Sequence, residues 1–490
     1  MSNYRTPGVY IEQAPNALGV NAIMGDSELV GAFMGIAERG KVGVPYEITS
    51  WGMYLSTFAL SRPSPFLINS ELAYAVYGFF QNGGMRCYVM RVAHIGDTVV
   101  ANNATAASVV VAGGPTFTAV DEGTWGNSLS VRVFPNEDDV TSFNISIALN
   151  DVEVEKFVGL SNTASAPNYW VSSISGSKYA TGSGTLISTD VAQTVTYVDF
   201  TTGADGIAEI EDADYIGSST VTGLIHNFDT IDTINLISIP GETSDAIVSG
   251  LLDYCNDRKY VYAVIDCDYA ENDTTALAMV KTLSGYGSFL YPWIKVVEPL
   301  AASSKVLHDC PPSGHVQGVM ARIARNRGVW KAPAGTEAAI QGAVDTVKTI
   351  TLADSDKLSP AGVICIMPKV DYGILVWGAK SISGAYVSHV LLDQYIKKAV
   401  YNGTQPYVFE PNNQDTWMRI TTQIEAFLNT LWQRGCLVGE ESTDAYYVRC
   451  DETTNLPATV EQGYIYCEIG YKRPGVAEFV VFRFSHEISK

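Results

Sequence analysis

At 490 residues the chain is too long for a single ordinary hydrophobic core, which predicts about three to four folding units. Apolar residues make up 47% of it and charged residues only 17%, against roughly a quarter in an average globular protein, so either partners cover much of the surface or the chain is simply rich in Gly, Ser and Thr. The formal net charge of −21 disfavours nucleic acid and anionic lipid as partners.

Cysteine usage and hydropathy indicate the compartment of synthesis. The eight cysteines include no CxxC pair and no short regular spacing, which disfavours a zinc knuckle or a disulfide scaffold and predicts reduced, mostly buried thiols. The N-terminus lacks the charged and apolar regions of a signal peptide, and no stretch approaches the roughly 18 apolar residues of a membrane span. We therefore expect synthesis in the cytoplasm.

The chain begins with a predicted extended arm. Residues 1–20 carry little that can form a core. Gly8–Glu12, however, alternates apolar and mixed side chains directly after Pro7, which is how a short edge strand begins.

Two predicted buried strands then flank a predicted helix. The apolar runs 29–36 and 87–92 indicate the strands, and 70–80 is predicted to be helical. Ser70 is placed to cap the start of this helix, and the Asn-Gly-Gly sequence at 82–84 is expected to end it.

The amino-acid composition changes between about residues 100 and 200. Short Val, Thr and Ile runs, such as 195–200, alternate there with Gly, Asn, Asp and Ser. This pattern is typical of a small β-sandwich or barrel, and we predict that it is an inserted domain.

Residues 234–297 predict a βαβαβ unit with a parallel sheet. The strand 234–239 is followed by Thr243 and Ser244 as helix caps. The next helix carries one apolar face, formed by Ile247, Val248, Leu251, Leu252 and Cys255. A buried strand at 261–266, a helix near 274–284 and a strand around 293–297 complete the unit.

From about residue 362, strands and helices alternate to the end of the chain. The helix 415–434 has a clear apolar stripe and Gly435 as its stop signal. A helix at about 387–400 carries the adjacent Lys397 and Lys398. The final segment, 477–485, reads as an aromatic and β-branched strand that needs a neighbour.

Three groups of residues resemble catalytic or binding sites but are disfavoured. Gly35–Val42 nearly matches a phosphate-binding loop, but Val42 has no hydroxyl for magnesium and Glu38 places an anion beside the phosphates. Asp266 and Asp268 follow a predicted parallel strand, where catalytic carboxylates lie in α/β enzymes, yet an acid there is more often a helix cap or a loop residue.

The third group is a possible metal site. His308, Cys310 and His315 are close in sequence, but the prolines and the glycine between them predict a loop without fixed ligand geometry. No G-x-S-x-G nucleophile elbow is present. The sequence therefore predicts no catalytic centre, no cofactor and no metal.

A set of short segments along nearly the whole chain, with few in 135–200, matches one known family. The segments are Thr6–Glu12, Gly35–Gly40, Ile48–Trp51, Phe79–Gly84, Cys87–Val92, Gly123–Asn127, Tyr291–Ile294, Arg327–Pro333, Trp377–Ala379, Phe409–Asn412, Val448–Asp451 and Ala477–Phe484. In these segments, which occur in the family's order, the chain resembles the sheath proteins of contractile phage tails and related contractile injection particles.

The resemblance implies a multi-domain α+β and α/β fold. Its expected parts are an N-terminal linking arm (1–20), the N-terminal part of the core (21–98), an inserted β-sandwich or barrel domain (99–204), a parallel-sheet α/β domain like subtilisin without its catalytic residues (205–361), a C-terminal tube-facing sheath domain (362–476) and a C-terminal linking strand (477–490).

The resemblance also implies partners. Copies of the chain would form a helical polymer around an inner tail tube protein, with baseplate and tail terminator proteins at its ends, in a particle made in the bacterial host cytoplasm. Both terminal strands lack an obvious partner within the chain, which suits pairing with neighbouring subunits. The expected subunit-linking residues are Pro7, Gly8, Val9, Tyr10, Ile11, Glu12, Phe479, Val480, Val481, Phe482, Arg483 and Phe484.

Lys397 and Lys398 are expected to face the tube, because adjacent lysines stand out on a chain this acidic. The alternative is an ordinary solvated helix end that the helix dipole favours. Two other functions stay open: a hydrolase-like enzyme that uses Asp266 or Asp268, and a static shell or assembly protein with one helical state.

Overall fold

The computed structural model describes residues 23, 28–59, 66–67, 70–96, 103–111, 114–139, 141–184, 196–218, 222–299 and 306–476. The two predicted terminal arms, including Pro7–Glu12 and Phe479–Phe484, lie outside these residues. The chain divides into two compact units, residues 27–392 and residues 1–26 with 393–490.

The secondary structure alternates strands and helices. The strands are β1 Gly31–Gly35, β2 Pro45–Ile48, β3 Cys87–Arg91, β4 Ser108–Val110, β5 Thr116–Ala119, β6 Leu129–Pro135, β7 Phe143–Leu149, β8 Val152–Leu160, β9 Ala180–Ser183, β10 Val198–Asp199, β11 Leu236–Ser238, β12 Tyr262–Asp266, β13 Gly287–Tyr291, β14 Ile294–Val297, β15 Leu307–Cys310, β16 Ala343–Thr346, β17 Val363–Lys369, β18 Gly373–Trp377, β19 Tyr446–Arg449 and β20 Glu468–Tyr471. The helices are α1 Trp51–Phe58, α2 Leu72–Gln81, α3 Trp170–Ile174, α4 Asp212–Ile216, α5 Asp245–Arg258, α6 Asp273–Val280, α7 Ser313–Arg327, α8 Leu352–Leu358, α9 Val387–Thr404, α10 Gln414–Gln433, α11 Ser442–Ala445 and α12 Pro457–Glu461. None of the helices in the described ranges is both long and apolar enough to cross a bilayer.

The larger unit is built on an eight-stranded sheet of order β18-β17-β13-β12-β11-β1-β3-β2. Its six inner strands are parallel, while β2 and β18 pair antiparallel at the edges. Every residue of β1, β12 and β13 is buried, as expected for a parallel sheet covered on both faces. The predicted strands at 29–36, 87–92, 234–239 and 261–266 are confirmed, and together they form the centre of this sheet.

Helix α5 covers part of this sheet as the sequence predicts. The Ser244 side chain accepts a hydrogen bond from the Ile247 N–H at 3.1 Å and caps the helix. The predicted apolar face is buried: Ile247, Val248, Leu251, Leu252 and Cys255.

One predicted strand of the βαβαβ unit was wrong. The third parallel strand is β13, whereas the predicted strand around 293–297 forms β14 in a separate antiparallel sheet of order β15-β14-β16. In the sequence, Gly287 and Ser288 at the start of β13 resemble a turn. In the structure, the lack of a side chain at Gly287 allows close packing, because an added Cβ would lie 2.9 Å from Leu252 and 3.2 Å from Ala263.

The start of α2 also differs from the prediction. The helix begins at Leu72 with Glu71 at its N-cap, one residue after the predicted cap. The Ser70 hydroxyl instead donates to the Ile36 carbonyl at 2.6 Å and accepts from the Leu72 N–H at 3.3 Å. Ser70 therefore ties the helix start to the end of β1.

The β-rich segment forms two sheets, β10-β6-β7-β8 and β4-β5-β9. Both contribute to one hydrophobic cluster, in which the Phe117 and Trp170 rings lie 5.4 Å apart. The positions of the predicted domain boundaries stay predictions.

The second unit contains the later part of α9, α10, α11, α12 and the two-stranded antiparallel sheet β19-β20. The predicted helix 415–434 is confirmed as α10, and its apolar stripe is buried. Gly435 has a φ of 76°, which suits the turn that ends the helix. By contrast, β17 and β18, which follow residue 362, belong to the large sheet of the other unit.

Candidate functional site

The turn after β1 is a structural connection and not a phosphate loop. Its Arg39 side chain is buried, lies 3.3 Å from the Asp121 carboxylate and stands 4.3 Å from the centre of the Trp125 ring. Lys41 is exposed, and the chain continues through Gly43 at a φ of 71° into β2 without starting a helix. A phosphate group would therefore find no helix N-terminus here.

Arg91 joins the large sheet to the β-rich segment. Its side chain is fully buried and donates to the Gly40 carbonyl at 3.1 Å and to the Glu122 carbonyl at 2.6 Å. Burial lowers the pKa of Arg91, and Asp205, 3.8 Å away, counteracts this effect. The sequence did not single out Arg39 or Arg91, because their partners lie far along the chain.

Asp266 holds the start of α7. Its two carboxylate oxygens accept hydrogen bonds from the Ser313 N–H at 2.8 Å and the Ser313 hydroxyl at 2.6 Å. Burial raises the pKa of Asp266 to about 7, although the Ser313 bonds favour the charged form. Asp268 is exposed and accepts from the Ala270 N–H at 2.7 Å in a turn. Both acids thus have structural roles, one at a helix start and one in a turn. These are the alternatives to catalysis that the sequence offers.

Each residue of the possible metal site has another role in the structure. His308 stacks on Tyr74 at 3.9 Å, and its Nε2 lies 3.1 Å from Glu71. Cys310 is buried and donates to the Pro311 carbonyl, while His315 is buried within α7, where burial lowers its pKa to about 4. Across the described stretches, no group of three potential metal ligands comes together.

The lysine pair lies on α9, as predicted. Lys397 is exposed and Lys398 is half-buried. On the same helix, Val387, Val390 and Leu391 are buried. The orientation of the two lysines toward a tube stays a prediction.

The C-terminal unit exposes large apolar side chains that the sequence did not mark as contact residues. Phe409 is fully exposed on a loop, at a φ of 71°, and Val408 and Tyr401 are exposed nearby. A non-glycine residue at positive φ costs conformational energy and persists only where surrounding interactions hold it. Exposed apolar groups of this kind are typical of contact surfaces.

Two family models together match more than half of the chain. A model described as the phage tail sheath protein central domain matches residues 208–382. A model described as the phage tail sheath C-terminal domain matches residues 383–486. The two ranges follow each other without a gap. No curated protein matches the chain.

Solved sheath structures share the fold. The helical sheath of the anti-feeding prophage in its contracted state has a TM-score of 0.61 at 21% identity, covering 99% of this chain and 100% of that chain. The PVC sheath complex of an extracellular contractile injection system, also contracted, has a TM-score of 0.59 at 20% identity over 100% and 99%. A sheath tail protein from Listeria innocua has a TM-score of 0.61 at 15% identity over 91% and 95%.

Proposed function

This chain belongs to the contractile tail sheath family, and from that premise we propose that it is the structural subunit of a contractile sheath. Copies polymerise helically around an inner tube, and contraction drives the tube through a target cell envelope. The observation that carries this proposal is the pair of sheath-domain matches, which together cover residues 208–486.

Contraction is a change between two packings of the same subunits. Each subunit moves as a rigid body from a stretched arrangement, assembled first, into a better-packed one. A difference of a few kcal/mol per subunit, repeated over many copies, supplies the work without a nucleotide. The structural roles of Asp266 and of the turn around Lys41 support an assembly without a catalytic centre.

Strand exchange between subunits links the polymer. The proposed linking strands are Pro7–Glu12 and Phe479–Phe484. Within the described residues, the sheet of β19 and β20 has only these two strands. Because an isolated two-stranded sheet is marginally stable and leaves two edges, it can accept strands from neighbouring subunits.

The partners follow from the same arrangement. The inner tail tube protein contacts the C-terminal domain, with Lys397 and Lys398 facing an acidic tube surface. Baseplate and tail terminator proteins bind the two ends of the sheath. The subunit is made in the bacterial host cytoplasm and becomes part of a virion tail or of another contractile particle.

Negative-stain electron microscopy of the purified protein tests the proposal. We expect long hollow polymers, and two different helical states with and without the tube. Polymers of one invariant helical state would indicate a static shell. A monodisperse protein that never polymerises would contradict the sheath function and return attention to the hydrolase-like alternative at Asp266 and Asp268.

A further inference from the structure

Cys450 and Cys467 face each other at the end of the β19–β20 hairpin. The antiparallel register pairs residues from Tyr446 with Tyr471 to Arg449 with Glu468. Cys450 follows Arg449, and Cys467 precedes Glu468. One further step along the ladder therefore places the two cysteines directly opposite.

The ladder also fixes which kind of pair the cysteines form. The Lys472 N–H donates to the Ala445 carbonyl at 2.9 Å, in the same register. Because hydrogen-bonded and non-hydrogen-bonded pairs alternate along an antiparallel ladder, Cys450 and Cys467 occupy a non-hydrogen-bonded position. There the Cα atoms are typically about 4.5 Å apart, within the range of roughly 4.4–6.8 Å that a disulfide bridges.

A buried asparagine holds this end of the hairpin. The Asn455 side chain lies 3.7 Å from the Cys450 sulfur, accepts from the Tyr466 N–H at 2.6 Å and donates to the Tyr466 carbonyl at 3.0 Å. Asn455 is 2% exposed. It therefore fixes both the Cys450 sulfur and the residue that precedes Cys467.

The pair is accessible to solvent through Cys467. Cys467 is partly exposed, whereas the remaining cysteines are buried. A hydrogen bond from the Cys467 thiol lowers the pKa of Cys450, and the Asn455 amide acts in the same direction. The same hydrogen bond shows that the two side chains are in contact.

We propose that Cys450 and Cys467 are a disulfide-forming pair that closes when the protein meets a small-molecule disulfide oxidant. One of the two cysteines, as its thiolate, attacks one sulfur of the oxidant, forming a mixed disulfide and releasing one small thiol. The other cysteine then loses its proton and attacks the sulfur of the first cysteine, which expels the second small thiol. Two electrons pass to the oxidant, and both protons end on the released thiols.

The bond closes the loop that contains α12 and fixes β20 to β19. Because β20 is the last described strand before residues 477–490, the bond also stiffens the attachment of the linking strand. This consequence rests on the proposed function, whereas the bond itself rests only on the hairpin geometry.

Peptide mapping of the full-length protein tests the pair. The protein is purified reduced, treated with oxidised glutathione, alkylated and digested with a protease that cleaves after glutamate. Glu452 and Glu461 lie between the two cysteines, so the cysteines fall on different peptides. We expect these peptides to stay linked until a reductant is added. We also expect amide exchange in β19 and β20 to slow by about tenfold or more.

Matched variants make the result specific. Cys450→Ser and Cys467→Ser should each abolish the linked peptide, while Cys436→Ala, which removes a buried thiol of the same unit, should leave it unchanged. Alkylation of both cysteines after oxidation, stable glutathione adducts, or cross-links between chains would each overturn the proposal. None of these outcomes depends on whether the protein polymerises.

Discussion

Asp266 shows how a carboxylate at a strand end can imitate a catalytic group. It lies at the carboxyl end of a parallel strand and is 2% exposed, and both features are typical of active-site acids. Its carboxylate oxygens nevertheless accept hydrogen bonds from Ser313 at the start of α7. Burial and hydrogen bonding here fix a helix onto the sheet, which is a structural use of the same position.

The first prediction concerns the pH dependence that Asp266 causes. Its pKa is raised to about 7 in the folded state from 3.8, so the folded state binds the proton more tightly than the unfolded state. The free energy of unfolding therefore decreases as pH rises from about 4 to about 7, by up to a few kcal/mol, and stays at that lower level above. Asp266→Asn should flatten this part of the thermal-stability profile.

The control for Asp266 is Asp268→Asn, which changes an exposed carboxylate and should leave the profile as it is. Neither substitution, nor Lys41→Ala, should alter polymerisation or contraction. Contraction that requires a nucleotide would contradict this prediction, as would a pH profile that Asp266→Asn leaves unchanged.

The sequence identified the residues that resemble catalytic or binding groups and gave reasons to disfavour them. It did not show which residues they contact. Val42 was enough to disfavour a phosphate loop, because a missing hydroxyl is visible in the sequence. The pairing of Asp266 with Ser313 was not visible, since these residues are 47 positions apart. The partners of Arg39 and Arg91 could not be predicted for the same reason. That Cys450 lies opposite Cys467 became visible only from the register of the β19–β20 hairpin.

At the scale of elements, α2 and α7 pack closely because glycines remove side-chain atoms from their contact. A Cβ on Gly314 would lie 2.3 Å from the Ala75 carbonyl oxygen, and one on Gly318 would lie 2.5 Å from the Phe79 carbonyl oxygen. On the facing helix, a Cβ on Gly78 would lie 2.4 Å from the His315 ring. Backbone atoms cannot move aside as a flexible side chain can, so this contact tolerates only glycine.

The second prediction is that Gly314→Ala destabilises the larger unit. Overpacking of this kind costs about 1–3 kcal/mol, which exceeds the fraction of a kcal/mol that alanine gains as a helix former near a helix start. We expect a lower thermal unfolding temperature in calorimetry of the soluble subunit.

Gly52→Ala is the matched control. Gly52 is also the second residue of its helix, and nothing lies within 4 Å of an added Cβ. The Gly52→Ala substitution should leave the thermal unfolding temperature unchanged or raise it slightly. Equal effects of the two substitutions would show that the α2–α7 contact is looser than the geometry indicates.

The fold was predictable where hydrophobic runs were continuous. Such runs, together with helix caps, predicted strands β1, β3 and β12 and helices α5 and α10. A continuous apolar run indicates a buried parallel strand, and an apolar stripe indicates the buried face of a helix. Strand β13 was missed because Gly287 and Ser288 resemble a turn. The pairing of β17 and β18 with the large sheet was missed because strand order depends on interactions between distant segments.

At the scale of the whole molecule, assembly must overcome electrostatic repulsion between identical acidic chains. Each copy carries a formal charge of −21, so subunits repel one another over distances up to about a Debye length. Short-range contacts between exposed apolar groups and between strand edges must exceed this repulsion. A basic site on such a chain is consequently most useful against an acidic partner.

The third prediction concerns the tube. Replacing both Lys397 and Lys398 with Glu should impair co-assembly with the tube while leaving the fold intact, because it reverses the charge that guides the register of the two proteins. Co-sedimentation with tube protein measures the loss, and circular dichroism checks the fold. Normal yields of tube-filled particles would assign the lysines to an ordinary helix end instead.

The last prediction concerns the N-terminal arm. A strand of about six residues offers N–H and C=O groups that a neighbour's sheet can satisfy, each bond contributing about 0.5–1.5 kcal/mol. Val9 and Ile11 add apolar anchors of roughly 1.5–3 kcal/mol each when buried. Val9→Pro would remove a ladder bond and bend the strand, and a linking arm would not contribute to the core from residue 29 onward. We therefore expect Val9→Pro, or deletion of residues 1–14, to give a soluble monomer that melts almost as before but forms no sheath under electron microscopy. If the arm packs on its own subunit instead, the truncated protein will lose thermal stability or aggregate, and linkage by strand exchange must then be abandoned.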